Sequence, residues 1–225
     1  MVFYSYFVVF KDKFPRISPK IMIDLRLKLI QKLVLILVFP SLSFAQSAMV
    51  ETENSSALDC YQGATSVAMI EGFEVTSSML ESCNVALIEV GLPDDDRAAT
   101  FVNRGILYAA SGLLAEALSD YEEALNLQAD LGQIYINRGI VYHFEKQFDL
   151  ALADYNHALE LNVQSKHLVY FARGLINEEM NLWDQAIRDY GKSLEHSPDW
   201  LPAKTRLQWV LDKVETLNYE IVATD

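Results

Sequence analysis

Along residues 98–200 apolar and polar positions follow a helical period, and one set of positions returns at nearly fixed spacing. Asn103-Arg104-Gly105-Ile106 is matched 34 residues later by Asn137-Arg138-Gly139-Ile140, and after a further 35 by Ala172-Arg173-Gly174-Leu175. Behind each glycine the pattern keeps step: twelve residues on stand Ala117, Ala151 and Ala186, sixteen on Tyr121, Tyr155 and Tyr190, nineteen on Ala124, Ala158 and Ser193. This patterning predicts helices over 98–111, 114–127, 132–145, 148–161, 167–180 and 183–195. Glycine and alanine leave room where two antiparallel helices cross, and tyrosines fill the gaps between successive pairs. Gly112, Lys146 and Asn181 fall between the helices of each pair, where a left-handed turn residue is expected. Lysine suits that conformation least, so the second turn is the least regular.

The pattern has flanks. Asp199 reads as the N-cap of a further helix ending near Leu217, with Leu207, Val210, Leu211, Val214 and Leu217 on one stripe and Lys204, Arg206, Asp212, Lys213 and Glu215 on the other side. One sealing face and one wet face are what a terminal cap requires. Residues 57–90 read as a degenerate leading pair, with Met79, Cys83 and Ala86 spaced like the Ala, Tyr and Ala of the later copies. Gly91-Leu92-Pro93-Asp94-Asp95-Asp96 reads as the loop that follows.

A period of about 34 with Gly, Tyr and Ala at these places, Tyr108 and Tyr142 at a further aromatic place and Pro198 closing the third copy resembles the tetratricopeptide repeat. Asn177 stands where that family expects an aromatic, and Ala129 and Val163 where it expects proline. The resemblance implies an all-α architecture: an α-solenoid of three helix pairs (98–131, 132–165 and 167–200), a degenerate leading pair (46–97) and a capping helix with tail (201–225). It also implies that the first helix of each pair lines a concave groove. The groove positions are Val102, Ile106 and Ala109, then Ile136, Asn137, Ile140 and His143, then Leu168, Phe171, Ala172, Leu175 and Glu178. This face is apolar, which suits an extended or helical peptide with apolar anchors. The competing expectation is that a terminal segment folds back and covers it. The family's carboxylate clamp is matched only at Asn137; Val102, Ile106, Leu168 and Ala172 occupy other clamp places, which argues against a chaperone-tail ligand.

Arg104, Arg138 and Arg173 precede the glycines, and Asp120, Asp154 and Asp189 precede the tyrosines 16 residues later. Arginine's fork meets a carboxylate bidentately, so three repeated, partly buried structural ion pairs are expected.

Charge and targeting complete the reading. Leu33–Phe39 is an unbroken apolar run preceded by Arg26, Lys28 and Lys32, broken by Pro40 and followed by Ser43-Phe44-Ala45. This predicts a signal peptide over 1–45, cleaved after Ala45, with translation starting at Met22; a retained N-terminal anchor is the alternative. The run is too short to span a bilayer. Without residues 1–45 the chain keeps 11 basic and 29 acidic residues, a net charge of −18 against −13 for the whole. Such a surface repels nucleic acid. Export, to the periplasm, makes Cys60 and Cys83 a candidate structural disulfide stapling the leading pair. The four histidines lack metal-ligand spacing, and no catalytic motif, metal site or cofactor site is evident. The expected function is a non-enzymatic protein- or peptide-binding scaffold. The alternatives are an enzyme or regulatory subunit with a site in 46–97, and a self-associating homo-oligomer.

Overall fold

The structure, a computed structural model, describes residues 55–69 and 74–224, and side chains over 55–67 and 74–217. The expected leader over 1–45 and the start at Met22 lie outside the described residues. Among the described residues every regular element is a helix: α1 (Ser55–Met69), α2 (Ser77–Ile88), α3 (Asp94–Ala110), α4 (Leu114–Leu127), α5 (Gly132–Phe144), α6 (Phe148–Glu160), α7 (Lys166–Glu179), α8 (Trp183–His196) and α9 (Leu201–Thr224). Each helix packs chiefly on its neighbours in sequence, and α1 also packs on α3, so the pairs stack into an α-solenoid.

The crossings follow from the glycines. A Cβ on Gly105, Gly139 or Gly174 would come within 2.5, 2.8 and 2.6 Å of the ring of Tyr121, Tyr155 and Tyr190 respectively. Only hydrogen fits there, and the three rings are almost wholly buried. The alanines at Ala117, Ala151 and Ala186 are fully buried for the same reason. Ser193 replaces the third alanine of the series; its hydroxyl donates to the His167 carbonyl at 2.7 Å.

The turns carry the expected geometry. Gly112, Lys146 and Asn181 have φ of 80°, 59° and 58°. In each, the next residue's N–H reaches back five positions: Leu113 to Tyr108, Gln147 to Tyr142, Leu182 to Asn177. That is a Schellman closure. A fourth left-handed residue, Asn162 (φ 58°), sits in the five-residue link between α6 and α7, whereas four residues link α4 to α5. α6 is one residue shorter than α4, and α7 starts eight residues before Gly174 where α5 starts seven before Gly139, so the step from 34 to 35 is absorbed around this junction.

Two expectations at the ends need correction. Asp94, Asp95 and Asp96 are not loop; they form the first turn of α3, where acids complement the positive end of the helix. Asp199 does not cap α9, which begins at Leu201; its carboxylate accepts from Lys204 Nζ at 3.1 Å. The sealing stripe of α9 runs through fully buried Ala203 and Val210, while Leu211 is 43% exposed.

Cys60 on α1 and Cys83 on α2 form a disulfide, and both are fully buried. Cys83 holds the place that Tyr155 holds in α6. The following residues, Asn84 and Asn156, each accept from the arginine of the next helix pair.

Candidate functional site

Three ion pairs repeat along the side of the solenoid where the second helix of each pair lies. Arg104 donates through Nε and Nη2 to Asp120 at 2.8 and 2.7 Å, and Arg138 to Asp154 at 2.9 and 2.8 Å. Arg173 makes the same fork to Asp189, with Nε to Oδ2 at 2.9 Å. The aspartates are nearly buried and the arginines about a fifth exposed. Burial pushes the Asp120 carboxyl up, while the fork from Arg104 opposes that shift and raises the guanidinium in turn. The fork thus favours the charged form of both partners against the cost of burial.

Sequence reasoning missed what surrounds these arginines. Each guanidinium lies over the ring three residues before it (Phe101, Tyr135, Tyr170) at 5.2–5.6 Å. Arg104 and Arg138 also lie over the ring four residues after, Tyr108 and Tyr142. Asn177 replaces the third such ring, and its amide donates to Asp189 at 2.8 Å, so a hydrogen bond stands in for the aromatic. Arg104 and Arg173 each make a third bond, at 2.7 Å, to the outer helix of the preceding pair. At Arg138 the corresponding neighbour is Glu122, with a Coulombic influence only. The aromatic spacing at −3 and +4 was present in the sequence and was the signal for this arrangement.

The inner face is made by α3, α5 and α7. The expected groove positions Val102, Ile106, Ala109, Ile136, Asn137, Ile140, His143, Leu168, Phe171, Ala172 and Leu175 share this face and are at most 7% exposed. A strip of such side chains left in water would forgo roughly 1.5–3 kcal/mol each, so their burial is favoured. Asn137 sits in this face with neither its amide oxygen nor its nitrogen hydrogen-bonded. Phe171 packs edge-on against Trp200 at 4.7 Å.

Polar groups rim the face at the ends of α5 and α7. His143 Nε2 meets Glu179 at 2.8 Å, and that bond, the largest influence, holds the Glu179 carboxyl below its ordinary value. Glu178, expected in the groove, accepts instead from Tyr190 at 2.7 Å and from Arg206 of α9 at 3.1 Å.

The leading pair offers little chemistry. Beside the disulfide lies a shallow hollow lined by Asp59, Gln62, Ser66, Ser78 and Ser82. Ser66 and Ser82 hydroxyls donate to the carbonyls of Gln62 and Ser78 in their own helices. Among the described residues no cluster of three histidines, cysteines or carboxylates could hold a metal ion. No described helix is long and apolar enough to cross a membrane.

The geometry is that of a tetratricopeptide-type solenoid. Residues 96–164 match the family model described as tetratricopeptide repeat. No curated protein sequence matches the chain. Among solved structures, a thermophilic tetratricopeptide repeat protein of Thermus thermophilus is 20% identical, with a TM-score of 0.54, over 76% of this chain and 88% of that one. The protein MamA is 18% identical with a TM-score of 0.54, over 61% and 78%. The first such domain of Spaghetti (RPAP3), solved bound to the HSP90 peptide SRMEEVD, is 24% identical with a TM-score of 0.51, over 56% and 99%. These likenesses establish the fold.

Proposed function

We infer that the chain is a non-enzymatic scaffold of the cell envelope that binds an apolar segment of another protein along the face of α3, α5 and α7. The observation that carries this is Asn137. An amide with donor and acceptor both unpaired inside an apolar face costs about 1–3 kcal/mol. A peptide main chain presents the complementary C=O and N–H, so a ligand that pairs both recovers that cost. The flanking Ile136, Ile140, Phe171 and Leu175 supply apolar pockets for alternate side chains. The structurally similar Spaghetti domain was solved with a bound peptide, which supports peptide binding by such a fold in general, though its acidic HSP90 peptide is not the apolar ligand inferred for this face. Export rests on the leader pattern of residues 1–45, and the acidic body suits a protein partner and not a nucleic acid.

The test is crosslinked co-purification of the exported protein, compared with an Ile140→Asp, Phe171→Asp double variant of unchanged helicity. Loss of the captured protein in the variant is expected. An identical set of partners would remove this face from the function.

A further inference from the structure

α9 is longer than the cap of a helix pair needs to be. It has 24 residues where α8 has 14. At 1.5 Å per residue the excess is about 15 Å of helix. Its neighbours end early along it. Arg206 bonds Glu178 near the end of α7, and the Trp209 ring lies 6.3 Å from that of Trp183, the first residue of α8. The rest of α9, as far as Thr224, runs on past both.

The apolar stripe does not stop where the neighbours stop. Leu207, Val210, Val214, Leu217 and Ile221 alternate spacings of three and four, the register of a seam between two helices. Cover thins along it: Ala203 and Val210 are fully buried, whereas Val214 and Leu217 are only partly so. We propose that α9 of a second copy completes this stripe, packed antiparallel about a two-fold axis between Glu215 and Thr216. The contact is independent of the inner face. A two-fold makes it self-complementary, with Val214 of each copy level with Leu217 of the other.

Charge favours a second copy in this orientation. α9 carries Lys204, Arg206 and Lys213 against Asp212, Glu215 and Glu220, a net charge of zero in a chain of −13. Two such helices meet without net repulsion. Antiparallel pairing sets the acidic bodies at opposite ends of the seam, whereas parallel pairing would set them side by side. Lys213 and Glu220 are seven residues apart, on one flank of the register, so the antiparallel pair brings a lysine position of one copy near a glutamate position of the other. The helix is already formed and packed on α8, so association carries no helix-nucleation cost. The seam is short and lies at the small end of specific interfaces, about 1,200 Å² or less, which makes a reversible dimer the expected product.

Sedimentation equilibrium of the purified chain from about 10 to about 200 µM is the first test. A monomer–dimer equilibrium is expected, and a monomer throughout overturns the proposal. Leu217→Arg should weaken the dimer about tenfold or more with helical circular dichroism unchanged, while Thr216→Arg, on the far side of the helix, leaves it intact. Self-association that survives Leu217→Arg belongs to another surface and also overturns it. Thiols read the direction, because Cys60 and Cys83 are bonded to each other and only introduced cysteines are free. Val214→Cys and Leu217→Cys chains are mixed and mildly oxidised. The mixed crosslink should exceed either like-with-like crosslink several-fold; a dominant Val214→Cys homodimer means parallel helices and overturns the antiparallel register. Lys213→Glu should weaken the dimer, and adding Glu220→Lys should restore it; no recovery refutes the register.

Discussion

Replacing Arg138 by alanine removes one fork from the middle of the solenoid. Asp154 keeps a side chain only 7% exposed and loses both of its arginine hydrogen bonds. Stranding a buried carboxylate in this way costs about 3–5 kcal/mol. The low end applies, because Arg138 is itself 18% exposed and water can enter the vacated space. Lost stacking over Tyr135 and Tyr142 adds about 0.5 kcal/mol or more. The expected total is about 3 kcal/mol, or a Tm lower by roughly 6–12 °C for a domain of this size. Urea unfolding followed by circular dichroism measures it. A double variant, Arg138→Met with Asp154→Leu, removes both charges and should lie within about 1 kcal/mol of the parent. Arg104→Ala should cost about 0.5–1.5 kcal/mol more than Arg138→Ala, because Arg104 also bonds Asn84. The reasoning is refuted if Arg138→Ala costs under about 1 kcal/mol, or if the double variant is as unstable as the two singles added together.

Other consequences can be checked on the same purified chain. Gly139→Ala puts a methyl 2.8 Å from the Tyr155 ring and should cost about 1–3 kcal/mol, whereas Gly191→Ala meets nothing within 4 Å and should be neutral or stabilising in thermal melts. Lys146→Gly relieves a left-handed φ of 59° and should raise stability by about 1 kcal/mol; an unchanged or lower Tm would contradict the turn geometry. Reducing Cys60–Cys83 opens a loop with a sequence separation of 23, worth about 3 kcal/mol. Hydrogen exchange should then rise in α1 and α2 and stay slow in α5–α8, since a repeat stack loses its end first. Glu179 has a depressed folded pKa, so its bond to His143 contributes at pH values above the ordinary carboxylate range and is lost as pH falls below about 4.5. The stability gap between the parent and Glu179→Gln, about 0.2–1 kcal/mol for a half-exposed group, should close in acid; a gap independent of pH would exclude this assignment.

Much of this molecule could be read from residue spacing because a repeat reports each contact three times. Gly105, Gly139 and Gly174 each predict a tyrosine sixteen places on, and only a helix crossing asks for that pairing. The arginine–aspartate forks were legible for the same reason. Features without a repeat were not. The three acids of Asp94–Asp96 look like loop until the helix they begin is seen. Asn162 offered a left-handed turn with no counterpart between α4 and α5. The aromatic rings flanking each arginine were in register in the sequence, but Asn177 broke the third copy. Only the fold shows its amide bonded to Asp189 in place of a ring. The state of the inner face was illegible for a different reason. Spacing tells which side chains share a face, whereas its exposure depends on what else in the chain reaches it.

The two sides of each inner helix differ in chemistry. On one side Arg104 and Arg173 hold their own outer helix by a fork and the preceding one by a third bond, which fixes each pair against the last. On the other side the same helices present Val102, Ile106, Ile136, Ile140, Phe171 and Leu175 with almost no polar interruption. A face held by such staples does not have to be ordered when a ligand arrives, so binding avoids much of the usual entropic cost.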